Sequence, residues 1–187
     1  MASKAFTIEC ENIILREYVF NDWKDICKIS QQPHIEEFLP DWNAPKEQRM
    51  YWIENYEIPE NKQFLKAIAD CGNVSDLMLR LGIISKETGD FIGWCCTGIK
   101  DELPAPNREI VFGISEDQRN KGYTTEAVRG LVDFLFKKTN IDVLNAIALT
   151  TNVGSNKVIQ KSGFEYQNTI IIEQKEYNHY KLFRTGD

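Results

Sequence analysis

Long apolar runs are missing from this chain. Charge or polarity interrupts each one well before the roughly 20 residues that a membrane-spanning helix needs. The opening residues, Met1-Ala2-Ser3-Lys4-Ala5-Phe6, carry no apolar stretch of the kind a secretory leader requires. Positive charge is also short: 22 Lys and Arg face 28 Asp and Glu, a net charge of −6. A protein that wraps nucleic acid needs a basic face to neutralise phosphates, so no nucleic-acid partner is expected. The excess of carboxylates reads first as solubility and only weakly as a preference for cationic substrates. Histidine is scarce, with His34 and His179 alone and neither in a ligand-like cluster. The five cysteines (Cys10, Cys27, Cys71, Cys95 and Cys96) are odd in number, irregularly spaced and without a Cys-x-x-Cys pair. That pattern argues against a disulfide framework or a zinc site, so no metal is expected and a reducing, cytoplasmic setting is the default reading. Cys95 and Cys96 follow an apolar run and read as core residues, since a buried free thiol behaves as a small hydrophobe.

What remains is a globular composition, 42% apolar and 27% charged. No repeat, low-complexity tract or Pro/Gly linker divides the 187 residues, so one domain over residues 1–187 is expected, long enough to bury its own core. Ile13 to Arg16 reads as a strand. Asn21-Asp22-Trp23 then caps a helix through Ile26, Cys27 and Ile29 that ends before Pro33. His34 to Pro45 is irregular, a sticky loop or a very short helix. Pro45 opens a second helix expected to stop near Pro59. Phe64 to Ala69, Leu77 to Ser85, Phe91 to Ile99 and Glu109 to Ser115 read as strands. Glu87 to Asp90 is a hairpin turn, and Asp101 to Asn107 is a loop. Tyr123, Ala127, Val128, Leu131, Val132 and Leu135 then keep helical spacing. A strand over 143–149, a short helix from Asn152 to Gly163, and strands Phe164 to Ile172 and Tyr180 to Phe183 complete the chain. The order predicts a mixed α/β (α+β) fold, a mostly antiparallel central sheet flanked by helices.

Two segments carry chemistry. The first, Gln118-Arg119-Asn120-Lys121-Gly122-Tyr123-Thr124-Thr125, joins a strand to a helix. A helix start leaves its first N–H groups unpaired and holds partial positive charge, which suits a phosphate. Gly122 lets backbone and anion approach and can take a positive φ. Arg119 and Lys121 add charge, and Thr124 and Thr125 add hydroxyls. The spacing is neither a Walker phosphate loop nor a Gly-x-Gly-x-x-Gly fingerprint. From these residues alone, an anion site and a plain solvated turn both stand open. The second segment runs from Thr151 to Phe164. Asn152 and Ser155 place polar groups at a strand end and helix start, and Gly163 is positioned to end that helix in a left-handed cap.

Together, Arg119-x-x-Gly122-x-Thr124 and Asn152-x-x-Ser155-x-x-Val158-x-x-Lys161-x-Gly163-Phe164 resemble the GNAT family of acetyl-CoA-dependent N-acetyltransferases. The segment Gly122 to Val128 and the opening Glu11-Asn12-Ile13-Ile14-Leu15-Arg16 look like the branch that contains the ribosomal-protein alanine acetyltransferases. The resemblance spans about Ile13 to Phe183. It implies the acyl-CoA N-acyltransferase fold, acetyl-CoA as co-substrate and a primary-amine acceptor, either a protein N-terminus or a small molecule. It implies that Arg119, Asn120, Lys121, Gly122, Tyr123, Thr124 and Thr125 hold the pyrophosphate. The pantetheine arm would lie along Phe112, Gly113 and Ile114, with an N–H near Gly113 facing the thioester carbonyl and stabilising its oxyanion. Asn152 and Ser155 would contact that arm or steer the thiol. Glu109 matches the strand carboxylate that serves as base in histone-type members, with a strand-end ion pair as the competing reading. Two positions depart from the family: Thr124 stands where Gly or Ala is usual, and Ile159 where many members carry an acidic Tyr. Ser155 or a water is left to protonate the thiolate. Acceptor recognition is implied at His34, Glu36, Glu37, Phe38, Trp42 and around Tyr177. Homodimers are common in such a family. Two alternatives remain: a non-catalytic acyl-CoA-binding module, and a protein that binds some other diphosphate.

Overall fold

A computed structural model describes residues 5–185; residues 1–4 and 186–187 of the expected domain lie outside that description. The strands are β1 (Thr7–Glu9), β2 (Ile13–Glu17), β3 (Leu79–Ser85), β4 (Phe91–Ile99), β5 (Arg108–Ile114), β6 (Val143–Leu149), β7 (Glu165–Ile172) and β8 (Lys175–Phe183). They form one sheet in the order β1-β2-β3-β4-β5-β6-β8-β7. Every neighbouring pair is antiparallel except β5 and β6. The helices are α1 (Trp23–Ser30), α2 (Pro33–Phe38), α3 (Lys46–Trp52), α4 (Ile58–Asp70), α5 (Tyr123–Lys138) and α6 (Val153–Lys161). Among the described residues no helix is long and apolar enough to cross a membrane.

The sheet buries two faces. Ile83, Cys95 and Ile110 pack with Ala127, Leu131 and Leu135 of α5 on one side. Trp94 and Cys96 pack with Ile26, Ile29, Ile35 and Ile53 on the other. Cys95 and Cys96 thus serve opposite faces of β4, as alternation along a strand requires. Burial pushes the Cys96 thiol up to about 12, so it carries no thiolate at neutral pH.

Two local expectations fail. Phe64 to Ala69 is helix, inside α4, not strand. Phe64 is fully buried with Leu65 and Ile68 partly so, a helical spacing that a six-residue, mostly apolar segment cannot distinguish from a buried strand. Nor does the helix stop at Pro59. A widened turn over Ile53–Glu57, with the Ile58 N–H reaching the Ile53 carbonyl, accommodates the proline ring. The helix therefore runs past the end of β2. There Asn61 bonds both the Arg80 N–H (2.7 Å) and the Arg80 carbonyl (2.8 Å), standing in for a missing strand neighbour. The segment after His34 resolves into α2 and a short 3-10 turn, Pro40–Trp42.

The sequence motif near the start is structural. Glu126 of α5 accepts from the N–H groups of Asn12 (2.6 Å) and Ile13 (3.2 Å), fastening the β1–β2 turn to α5. Arg16 makes a two-pronged ion pair with Asp22 ahead of α1, with contacts of 2.8 and 3.1 Å.

Candidate active site

The site begins at a fork. β5 and β6 run parallel but share one bridge, Glu109 to Asn145, and then separate. Asn145, fully buried, pins the fork: its Nδ2 donates to the carbonyls of Pro106 (2.9 Å) and Arg108 (3.0 Å). His179 Nε2 holds the other end of the amide, at 2.8 Å from Oδ1. Beyond the fork, no strand among the described residues pairs with β5 on its β6 side. A cavity of about 350 Å³ fills the gap, lined by Val111 to Ile114 on one wall and Ile147 to Leu149 on the other.

Which backbone groups face the gap follows from the β4–β5 ladder. Lys100 N–H donates to the Asn107 carbonyl (3.0 Å), and Ser115 N–H donates to the Ile92 carbonyl (2.8 Å). Between these two bonds the antiparallel register alternates. Gly113 therefore exchanges its bonds with Trp94, while the N–H and C=O groups of Phe112 and Ile114 turn outward into the gap. The N–H of Gly113 is engaged in the ladder, so the outward donors near it are those of its two neighbours. What Gly113 contributes is the absence of a Cβ, which would stand 2.6 Å from the Trp94 ring.

Above β5 lies the basic turn. Asn120 (φ 62) and Gly122 (φ 85) are both left-handed, and no side chain caps the start of α5. The first-turn N–H groups of that helix stay available, as an anion site needs. Arg119 reaches across to α6: its Nη2 lies 3.7 Å from where a Gly154 Cβ would stand. Arg119, Asn120 and Thr124 line the cavity, together with Asn152 and Ser155 from the start of α6. Asn152 also caps α6, its side chain accepting from the Ser155 N–H at 3.1 Å. The side chains of Lys121, Tyr123 and Thr125 and the backbone of Gly122 are not part of the cavity wall. Lys121 bonds Gln118 at 3.0 Å, and Tyr123 packs against the core. Ile159 is buried in that core, at 1% exposure, so α6 presents Ser155 and Val158 to the cavity instead.

Among the described residues, Glu109 Oε2 and His34 Nδ1, both in side chains that line the cavity, are buried without a hydrogen-bond partner. Burial pushes the Glu109 carboxyl up to about 7, a shift that Lys100 opposes and Glu102 adds to. No ion pair holds it, so the strand-end salt bridge weighed from sequence is absent among the described residues.

The far end of the cavity is built from side chains. Glu37, Phe38, Asp41 and Trp42 line one side and Glu173, Lys175 and Tyr177 the other. Trp42 stacks on Trp94 (4.3 Å between centroids, planes at 5°) and is backed by Arg49, whose Nη2 donates to the Trp42 carbonyl at 3.0 Å. Arg49, 2% exposed, is itself paired with Glu57 at 2.9 Å. Of the two neighbouring glutamates, Glu37 lines the cavity and Glu36 is bonded by Asn43 instead. Tyr177 lies at the end where the resemblance implied acceptor contacts, whereas Asp41 and Glu173 were missed, because no local pattern marks residues that meet only across the sheet.

This forked, mostly antiparallel sheet with a helix start at the head of the gap defines an acyltransferase class of fold. A family model described as an acetyltransferase (GNAT) domain matches residues 12–165. The chain belongs to the GNAT family and is an acetyl-CoA-dependent N-acetyltransferase. It is similar to the uncharacterized N-acetyltransferase YnaD of Bacillus subtilis, 21% identical over 159 residues, covering 83% of this chain and 81% of that one. Its fold is similar to that of AAC(6')-Ib in complex with paromomycin and acetyl-CoA (TM-score 0.71, 17% identity, 93% of this chain and 94% of that one). It is also similar to the ribosomal-protein-S5-alanine acetyltransferase from Vibrio fischeri (TM-score 0.73, 15% identity, 96% and 97%).

Proposed function

We propose that the protein moves an acetyl group from acetyl-CoA to a primary amine, of a small molecule or a protein N-terminus, with Glu109 as the base. The observation that carries this reading is the unpaired half of β5, which offers Phe112 and Ile114 as backbone partners beside a carboxyl with a pKa near 7. Acetyl-CoA supplies the thioester that the amine attacks. The open edge of β5 binds its pantetheine arm as an added strand, through outward groups of Phe112 and Ile114 that the β4 ladder does not use. Arg119, Asn120, Thr124 and the free amides at the start of α5 hold the pyrophosphate. The buried Thr124 adds a hydroxyl on that wall where the family usually has none.

Glu109 takes a proton from the ammonium, directly or through one water. A carboxyl near 7 suits this, since a base works best when its pKa lies close to the working pH. Ser155 and Tyr177 are the hydroxyls on the cavity wall that can return a proton to the departing thiolate. Glu37, Asp41 and Glu173 on the rim, with the aromatic surfaces of Trp42 and Tyr177, favour a positively charged acceptor. The neighbours described as aminoglycoside and ribosomal-protein acetyltransferases act on amines of two different sizes, and the reading here covers both. The free cysteines and the acetyl-CoA requirement fit a cytoplasmic protein. The test is calorimetry with acetyl-CoA, followed by thiol release across a panel of amino sugars, polyamines and peptides with free N-termini. Binding together with amine-dependent thiol release is expected; binding without release from any amine overturns the reading.

A further inference from the structure

His34 stands where the two halves of the cavity meet. It opens α2, yet its Nε2 lies 2.9 Å from the carbonyl of Ile114, 80 residues away at the end of β5. A carbonyl only accepts, so Nε2 carries the proton and Nδ1 is left as an acceptor. That Nδ1 is buried and has no partner in a side chain that lines the cavity. The contact is not isolated. Gln32, two residues earlier, donates to Ser115 Oγ at 3.0 Å and accepts from the Glu116 N–H at 2.8 Å. The start of α2 is thus fastened to the end of β5 by three bonds, and the ring of His34 is held in a fixed orientation.

The consequence falls on the open edge of β5. Of the four backbone groups turned into the gap by Phe112 and Ile114, the Ile114 carbonyl is already occupied by His34. An amide N–H of a strand-like ligand must share that carbonyl with His34, whose other ring nitrogen is unpaired. A donor buried against that edge needs an acceptor, and the unpaired Nδ1 is one on the same wall.

We propose that His34 is a positioning residue for the pantetheine arm, its Nδ1 accepting from an amide N–H or the hydroxyl of that arm while Nε2 stays on Ile114. This rests on the reading that acetyl-CoA lies along β5. The role differs from a structural clamp, because the two ring nitrogens do different work and two substitutions separate them. His34→Gln keeps a donor close to the Nε2 position and removes the Nδ1 acceptor. His34→Asn keeps an acceptor close to Nδ1 and removes the donor to Ile114.

Calorimetry on the purified full chain compares acetyl-CoA with 3′-phospho-ADP, which lacks the arm, and steady-state kinetics follow KM and kcat separately. For His34→Gln the expected result is an acetyl-CoA Kd and KM raised about tenfold, with kcat and 3′-phospho-ADP binding within twofold of wild type. For His34→Asn the expected loss is smaller, threefold or less. The reverse order, with Gln tolerated and Asn weakened, shows a clamp alone and overturns the proposal. Equal losses in both variants, or losses shared by 3′-phospho-ADP, overturn it as well. Failure of the wild-type chain to bind acetyl-CoA at all sinks the wider reading of the site, and this proposal with it.

Discussion

The two ends of the cavity are made differently. The donor end, from Phe112 to the start of α5, is backbone: outward N–H and C=O groups of β5, an uncapped helix start and two left-handed residues. The acceptor end is side chain: Trp42 wedged between Trp94 and Arg49, carboxylates on the rim, and Glu109 at the fork. Backbone geometry is fixed by secondary structure and survives most substitutions. Side-chain walls change with each residue. A constant co-substrate at one end and a variable acceptor at the other is what such a division permits.

Substitutions at the two ends should separate accordingly. The largest effect is expected at Glu109. Glu109→Gln should lower kcat about 100-fold while leaving the acetyl-CoA Kd within twofold, and it should abolish a rise in kcat with pH centred near 7. A calorimetric and kinetic comparison decides it, and full turnover in the variant would end the base assignment. The same change should act on stability with the opposite sign. A carboxyl whose folded pKa is raised binds its proton more tightly in the folded state, so wild type loses stability as pH climbs from about 4.5 to about 7. Glu109→Gln should therefore melt higher than wild type at pH 8, by on the order of 2 kcal/mol, and lose that advantage below about pH 4.5.

Gly113→Ala should blur the division. Its Cβ would meet Trp94 at 2.6 Å, displacing the ring on which Trp42 stacks as well as β5 itself. A loss of about 2 kcal/mol is expected, seen as a drop of roughly 5 °C in Tm, together with a raised KM for both substrates. Gly122→Ala belongs to the donor end alone. Nothing lies within 4 Å of the added Cβ, so the cost is the left-handed backbone at φ 85, about 1 kcal/mol. Acetyl-CoA binding should weaken several-fold with the acceptor KM unchanged. The smallest effect is expected at the rim: Glu37→Gln should raise KM about twofold for a polycationic acceptor, and the difference should vanish at high salt.

Much of the fold was legible. The helix of Tyr123 to Lys138 declared itself through apolar spacing, and its buried residues Ala127, Val128, Leu131, Val132 and Leu135 are those the period marks. The turn from strand to helix was legible too, because its signals are local: a strand end, a glycine and a helix start lie within a dozen residues. Phe64 to Ala69 was not, since a short apolar run fits either regular structure. Pro59 misled because the proline rule assumes a regular turn, and here the helix widens. At the site, Glu109 could be named but not weighed, for its ionisation depends on burial contributed by the folded sheet.

The sequence by itself determined most of the elements, the basic turn and the family, because periodicity, caps and loop chemistry are written in neighbouring residues. Only the tertiary structure decided how the candidate site is built. The parting of β5 from β6 at Asn145, the outward turn of Phe112 and Ile114, the orphaned oxygen of Glu109 and the reach of His34 to Ile114 all join residues distant in the chain. Hydrogen-bond register and burial are properties of the packed sheet, so no window of sequence contains them.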